Sequence, residues 1–236
     1  MIPKINDKPK YEIVIPSTGQ KVRYRPYLVK EERVLLSAFE SGDERAGLLA
    51  VADTVEACID ADVNVKMLTL FDIEYLYTMI RTKSVGETAP IKINCSSCNH
   101  QNDFSVKLDD VDVSQENRSS KKIKIDDEIS VEMKHPTYIS VLNNKEILTT
   151  KSSTEKKIQM VAESIYAIIT EEEKILIKDE PREDLFEFIE SLSQMQFEML
   201  YEYVSSAPKL EYKVKFDCVS CGENNDYTVR ETNDFF

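Results

Sequence analysis

The chain has 236 residues, of which 42% are hydrophobic and 31% are charged, and its formal net charge at pH 7 is −13. This composition is typical of a soluble globular protein with one sizeable domain or two small ones, and no apolar run approaches the length of a membrane span. The acidic balance argues against a nucleic-acid partner, because binding to phosphates requires a basic surface. No Gly-rich nucleotide motif occurs, and we expect the partner to be a protein or another basic surface.

The first part of the chain combines a β-hairpin with helices. Residues 11–27 alternate between apolar and polar side chains around a turn at 16–19, which predicts the hairpin. Apolar residues at helical spacing predict three helices after it, at residues 29–41, about 43–60 and about 69–81. On the second of these helices, Cys58 is expected to be a small core residue rather than a reactive thiol.

The second part of the chain follows the same order. Residues 123–134 alternate as a hairpin around Asp126–Glu128. Helical spacing predicts three further helices, at residues 155–169, from Pro181 onward, and from a capping box at 193–196 to about 205. The charged segment 171–180 separates the first two of them.

A polar stretch without hydrophobic periodicity, residues 109–122, lies between the two parts. We place a linker at 114–122. The predicted domains are a first half at 1–113 and a second half at 123–236, each consisting of a hairpin, helices and a Cys-x-x-Cys segment.

Two stretches of the chain, 91–106 and 214–229, align without a gap at a constant offset of 123 residues. Each reads as an alternating strand, a Cys-x-x-Cys turn, a short polar loop and a second alternating strand. The aligned identities and similarities pair Cys95 with Cys218, Cys98 with Cys221, Asp103 with Asp226, Phe104 with Tyr227 and Val106 with Val229. This agreement indicates an internal repeat.

The repeated stretch has the local design of a zinc knuckle. One knuckle supplies two thiolates, whereas a structural Zn²⁺ takes four ligands in a tetrahedron. We therefore predict one structural Zn²⁺ that is held by Cys95, Cys98, Cys218 and Cys221. Four protein ligands leave no position for a reactive water, and closing such a long loop would couple metal binding to folding.

Other uses of these cysteines are less favoured. Disulfides are typical of secreted proteins, but no signal peptide is evident. The number of cysteines is also odd, with Cys58 as the fifth. A thioredoxin-like pair would open a helix after a strand, which neither motif does. An iron–sulfur centre uses the same ligands and stays open.

No residue pattern predicts catalysis. His100 is expected to be an exposed loop residue, and His135, which precedes a proline at a strand end, has no triad partner nearby in sequence. The acidic clusters lack the ligand pattern of a Ca²⁺ loop and are expected to be solvated turns, at residues 109–112, 126–128 and 171–173.

These elements predict an α+β fold in which two pseudo-repeated halves, each with a β-hairpin, helices and a Cys-x-x-Cys knuckle hairpin, are joined by a shared zinc-ribbon-like site. Such a duplicated unit would pack about a pseudo-two-fold axis near the metal.

Three segments, 70–77, 80–87 and 91–98, together resemble the T4-type bacteriophage baseplate protein family, which includes baseplate hub subunits and hub assembly proteins. The resemblance implies a non-enzymatic protein, made in the infected bacterial cytoplasm, that helps to build the hub and remains in the virion tail or leaves after assembly. The implied partners are other hub, tail tube or tape-measure proteins, and neither a nucleic acid nor a membrane. Whether the chain forms a homo-oligomer stays open.

Two hypotheses from other classes compete with this one. A zinc-ribbon adaptor that binds host transcription or translation machinery is the alternative, because many zinc ribbons serve there. A thiol oxidoreductase is the third and least favoured hypothesis.

Overall fold

The computed structural model describes residues 9–114 and 118–229. Within these ranges the chain is a mixture of helices and small antiparallel sheets. The strands are β1 (Tyr11–Val14), β2 (Lys21–Tyr24), β3 (Ile59–Asp60), β4 (Thr88–Asn94), β5 (Gln101–Lys107), β6 (Asp112–Val113), β7 (Lys121–Lys124), β8 (Ser130–Met133), β9 (Ile165–Ile169), β10 (Lys174–Leu176), β11 (Leu210–Asp217) and β12 (Asn224–Val229). The helices are α1 (Val29–Glu40), α2 (Glu44–Cys58), α3 (Leu70–Ser84), α4 (Tyr138–Asn143), α5 (Lys145–Thr149), α6 (Ser153–Ser164), α7 (Arg182–Ser191) and α8 (Gln194–Ser205).

The chain divides into two compact units. Among the described residues, unit 1 consists of 9–65, 71–114 and 209–229, and unit 2 consists of 66–70 and 118–208. This partition differs from the predicted halves, because the second knuckle hairpin lies in unit 1 and not with residues 123–208. Residues 115–117 of the predicted linker lie outside the described residues.

Unit 1 begins with the predicted hairpin, which the structure confirms. β1 and β2 pair from Tyr11 opposite Tyr24 to Val14 opposite Lys21. Gly19 has φ +70, in the left-handed region where a side chain would be strained, and its N–H donates to the carbonyl of Ile15. The turn therefore depends on this glycine.

Helix α2 ends two residues earlier than the apolar spacing predicts. Asp43 caps its start by accepting the N–H groups of Arg45 and Ala46. After Cys58 the backbone becomes extended, and Ile59 pairs with Tyr24 as the third strand of the β1-β2-β3 sheet. Ile59 is β-branched and is therefore well suited to a strand, although its position in the sequence also fits the apolar spacing of the helix. Cys58 itself is buried, as predicted.

Unit 2 contains a four-stranded sheet in the order β10-β9-β8-β7. The hairpin of β7 and β8 confirms the prediction at 123–134, and Asp126 closes its turn by accepting the N–H groups of Glu128 and Ile129. The predicted helix at 155–169 is wrong in its last turn and a half. Helix α6 ends at Ser164, and residues 165–169 form β9.

The error at β9 has a physical cause. Isoleucines at 165, 168 and 169 fit a helical stripe, but the run is also β-branched and apolar enough for a central strand. Strand β9 hydrogen-bonds with β8 on one side and β10 on the other, with Ile168 opposite Val131. The hydrogen bonds of β9 to these two strands are tertiary contacts, and the spacing of apolar residues along the sequence does not reveal them.

Other short elements of unit 2 were not predicted. Helices α4 and α5 lie between the hairpin and α6, and each begins at a side-chain cap, on Thr137 and Asn144 respectively. The predicted helix from Pro181 is α7, and the capping box of Ser193 and Gln196 is confirmed at the start of α8. No helix among residues 9–114 and 118–229 is both long enough and apolar enough to cross a membrane.

The core of unit 2 lies between its sheet and helices α6, α7 and α8. Leu200 and Tyr203 of α8 are 0% and 1% exposed, and the Tyr203 hydroxyl donates to the carbonyl of Ser119. The remaining buried members are Ile123, Val131, Met133, Val161, Ala162, Ile165, Leu185 and Ile189.

Replacing Leu200 by Ala should destabilise unit 2 by about 2–5 kcal/mol, because a fully buried side chain leaves a cavity. Met199, its neighbour on α8, is 38% exposed, so Met199→Ala should cost much less. Urea unfolding monitored by circular dichroism would measure both. Equal losses in the two variants would contradict this core.

A partly buried carboxyl in unit 1 should make stability depend on pH. Burial raises the pKa of Glu74 on α3 from 4.5 to about 7, against the attraction of Lys209. Since the folded state binds this proton more tightly, the stabilisation is complete below about pH 4.5 and is lost as the pH rises through about 7. Glu74→Gln should therefore be more stable than the unsubstituted protein at about pH 8 and similar to it near pH 4.5.

Urea unfolding at both pH values would measure this difference. Glu56→Gln is the matched control, since Glu56 is exposed on α2 of the same unit. A Glu74→Gln variant with no advantage at the higher pH would show that the carboxyl is well solvated.

Candidate metal centre

Two β-hairpins of unit 1 present the four cysteines of the repeated stretches. β4 pairs with β5 up to Asn94 opposite Gln101, and β11 pairs with β12 up to Asp217 opposite Asn224. The rings of Phe104 and Phe216 lie 4.5 Å apart and join the two hairpins by an aromatic contact. The Cys-x-x-Cys turns therefore lie at the ends of two packed hairpins.

The two turns have the same backbone structure. The N–H of Cys95 donates to the carbonyl of His100 at 2.9 Å, and the N–H of Cys218 donates to that of Glu223 at 2.8 Å. Asn99 has φ +56 and Gly222 has φ +74, so each turn has one left-handed residue at the equivalent position. Asparagine and glycine are the residues that adopt this conformation most readily.

The four predicted ligand residues are brought together. The sulfurs of Cys95 and Cys221 are 3.7 Å apart, those of Cys98 and Cys218 are 3.6 Å apart, and all four lie within 4.8 Å of one another. A disulfide would need about 2.05 Å, whereas a tetrahedral ion with sulfur bonds of about 2.3 Å separates its sulfurs by roughly 3.8 Å. The spacing is therefore compatible with four thiols around one metal ion.

One cysteine of each turn is buried and the other is exposed. Cys95 and Cys218 are each 3% exposed, and Cys98 and Cys221 face the surface. Among the described residues, these four cysteines are the group of metal-ligating side chains that could hold an ion. Cys58 lies apart from them in the core of unit 1.

Local hydrogen bonds change the acidity of the thiols. The backbone N–H of Cys98, together with that of Ser97, lowers the pKa of Cys95 to about 6. Burial raises the pKa of Cys218, but N–H groups of its own turn outweigh this effect, so its pKa lies below the ordinary value.

Cys221 differs from these two thiols. The backbone N–H of Glu223 lowers its pKa, but the neighbouring thiols, Cys98 first among them, raise it to about 12. Four thiolates at this distance repel one another, and a bound cation would offset that repulsion.

Two residues that hydrogen-bond to the thiols were missed in the sequence analysis. The side-chain amides of Asn102 and Asn225 are buried beside Cys218 and Cys95 respectively. The available signal was their identity at the same offset of 123 that aligns the cysteines. One asparagine in a polar stretch does not by itself indicate a functional role. Only a comparison of the two repeated stretches could have identified these residues from the sequence.

The other residues that the sequence analysis considered make local contacts. His100 is exposed and uses its backbone carbonyl, and the ring of His135 stacks on Tyr203 in unit 2 at 4.8 Å. In the acidic stretch 109–112, Asp109 pairs with Lys83 at 2.6 Å.

One comparison with known proteins gives a match. A family model described as "T4 bacteriophage base plate protein" matches residues 8–236, which is nearly the whole chain. No curated protein and no solved structure matches the chain. The family match confirms the resemblance found in residues 70–98, and it gives no support to the alternative of an adaptor for host transcription or translation machinery.

Replacing Cys218 by Ser should abolish metal binding, because it removes one of four ligands, and should lower the free energy of unfolding by roughly 3 kcal/mol or more. Cys58→Ser is the matched control, since it puts a hydroxyl into the core of the same unit at a cost of roughly 1–3 kcal/mol. Metal content by elemental mass spectrometry and urea unfolding would be measured together. A Cys218→Ser protein that retains both metal and stability would contradict the four-cysteine centre.

Proposed function

Because the chain belongs to the T4 bacteriophage base plate protein family, we propose that it is a non-enzymatic structural or assembly protein of the baseplate hub in a contractile-tailed bacteriophage. The observation that carries this proposal is the family match over residues 8–236. Its place of action is the infected host cytoplasm during assembly, and also the virion tail baseplate if it is a permanent subunit.

The proposal includes a structural Zn²⁺ bound by Cys95, Cys98, Cys218 and Cys221. The sulfur separations support a single ion rather than a cluster of several irons, which would need its thiolates further apart. When bound, the ion cross-links the two hairpins. The four thiolates fill a tetrahedral coordination shell, so the site has a structural role and no open position for water.

The proposed fold is a duplication joined by this zinc-ribbon-like site. In support of it, the β1-β2-β3 sheet and the β7, β8 and β9 strands of the four-stranded sheet are both antiparallel, and in each the third strand directly follows a helix. The knuckle hairpins carry equivalent ion pairs, Lys92 with Asp103 and Lys215 with Asp226. We propose 1–113 and 123–236 as the repeats, with the linker at 114–122 between them.

The proposed partners are other hub, tail tube or tape-measure proteins. The net charge of −13 and the exposed acidic face of α7 favour a partner with basic patches. That face consists of Glu183, Asp184, Glu187 and Glu190, and the following helix α8 contains no basic residue. Complementary charge would speed the encounter and select the orientation.

Affinity capture of the tagged protein from infected cells should recover tail and hub proteins, with the yield falling as salt is raised. Charge reversal on α7, as in Glu183→Lys with Glu187→Lys, should reduce capture severalfold, while Glu12→Lys on the exposed part of β1 is the control. Cross-linking mass spectrometry would identify the contacting chains, including a second copy of this one.

Recovery of host polymerase or ribosomal proteins in place of tail proteins would contradict the hub role. If tail proteins are recovered instead, the amount of the protein in purified virions would distinguish a permanent subunit from an assembly factor that leaves.

A further inference from the structure

Each knuckle hairpin sends one asparagine across to the other. From β5, the Oδ1 of Asn102 accepts the N–H of Val219 at 3.1 Å, and its Nδ2 donates to the sulfur of Cys218 at 3.8 Å. From β12, the Oδ1 of Asn225 accepts the N–H of Ser96 at 2.9 Å, and its Nδ2 donates to the sulfur of Cys95 at 3.6 Å. The two sets of contacts are reciprocal.

Each asparagine is also anchored in its own hairpin. The Nδ2 of Asn102 donates to the carbonyl of His100 at 2.9 Å, and that of Asn225 donates to the carbonyl of Glu223 at 2.8 Å. Those carbonyls are the ones that accept the N–H of Cys95 and of Cys218 in the two turns. Each amide therefore connects the turn of one hairpin with the buried thiol of the other.

The amides are inside the protein, where their hydrogen bonds matter most. Asn102 is 3% exposed and Asn225 is 6% exposed. A buried amide without partners costs free energy, and among the described residues no buried side-chain nitrogen or oxygen is left without a hydrogen bond. Hydrophobic residues of similar size could fill the same space, so burial alone does not explain two asparagines at equivalent positions.

We infer that Asn102 and Asn225 are positioning residues of the metal centre, each orienting the buried cysteine sulfur of the opposite hairpin. The inference rests on the proposed metal centre and adds the residues that tune it. An N–H donor directed at sulfur restricts the direction in which that sulfur can face. Outer contacts of this kind orient metal ligands, and losing one typically reduces metal affinity roughly 10–100-fold.

The two sides of this arrangement are not equal. The Oδ1 of Asn225 also accepts the Ser96 hydroxyl at 2.9 Å, in addition to the Ser96 N–H. At the equivalent place in the second turn stands Val219, which has no hydroxyl and is 80% exposed. The Oδ1 of Asn225 therefore accepts one more hydrogen bond than the Oδ1 of Asn102, whose Nδ2 in turn also donates to the carbonyl of Ile93 at 3.5 Å.

The test substitutes Asp for each asparagine, as Asn102→Asp and Asn225→Asp. Aspartate keeps the shape and the accepting oxygen but places a carboxylate where the N–H donor to sulfur was. Asp103→Asn is the matched control, because Asp103 is the exposed neighbour on the same strand. Each protein is loaded with Co²⁺, whose thiolate charge-transfer bands report the ligand geometry, and Co²⁺ loss to a chelator is timed.

Both Asp variants should shift the thiolate-to-cobalt bands and release Co²⁺ roughly 10–100-fold faster, while Asp103→Asn leaves both unchanged. A merely structural role would lower the melting temperature without moving the bands. If an Asp variant fails to fold, Asn102→Ser keeps a small polar group and is measured in the same way.

The hydroxyl that is present on only one side allows a second test, in which metal release should become slower in one variant and faster in another. Val219→Ser should supply the missing hydroxyl to Asn102 and slow the release of Co²⁺, and because Val219 is mostly exposed it costs little packing. Ser96→Val should remove the existing hydroxyl and speed the release. Opposite signs in these two variants would support the reciprocal arrangement.

The results also separate this inference from the proposal on which it rests. If the unsubstituted protein binds Co²⁺ through thiolates and the Asp variants keep its spectrum and release rate, the positioning role is wrong and the metal centre stands. If the unsubstituted protein shows no thiolate-to-cobalt band, both are wrong.

Discussion

The meeting of two hairpins far apart in sequence is the constraint on which unit 1 depends. Cys98 and Cys218 are 120 residues apart along the chain, yet their sulfurs lie 3.6 Å from each other. Closing a loop of that length costs roughly 4 kcal/mol in chain entropy. The aromatic contact of Phe104 with Phe216, the reciprocal asparagines and the cluster of thiols all act at this junction, so they jointly offset a cost that no single hairpin could.

The same constraint explains why the compact units and the proposed repeats have different boundaries. The chain leaves unit 1 after β6 and returns at β11, where Leu210 pairs with Val113. The N–H of Ser114 donates to the carbonyl of Lys209 at 2.9 Å, and the N–H of Lys209 donates to the hydroxyl of Ser114 at 3.2 Å. The long segment of unit 2 is thus entered and left through adjacent backbone, which is the geometry that lets a segment be inserted without disturbing its host.

Sequence analysis found the features that have a local or repeated signal. Hairpins with turn residues, the capping box at Ser193 and the convergence of four cysteines all belong to this class. Strand β9 was missed because Ile165 and Ile168 fit a helix as well as a sheet, and only pairing with β8 decides between them. Strand β6 was missed because a two-residue pairing with β11 leaves no periodicity in a polar stretch. Asn102 and Asn225 were missed because the alignment was used to find ligands, and not their partners.

The proposed metal centre has a consequence for the order of folding. Unit 2 contains its own sheet and core within 118–208, together with the short segment 66–70, so its contacts are available before β11 is made. The centre in unit 1 needs Cys218 and Cys221, and metal binding is coupled to folding wherever a site does not exist in the unfolded chain. Unit 1 therefore reaches its final stability only when the second hairpin joins the first. In the proposed baseplate role, this coupling would make the rigid form available only after residues 118–208 have been synthesised.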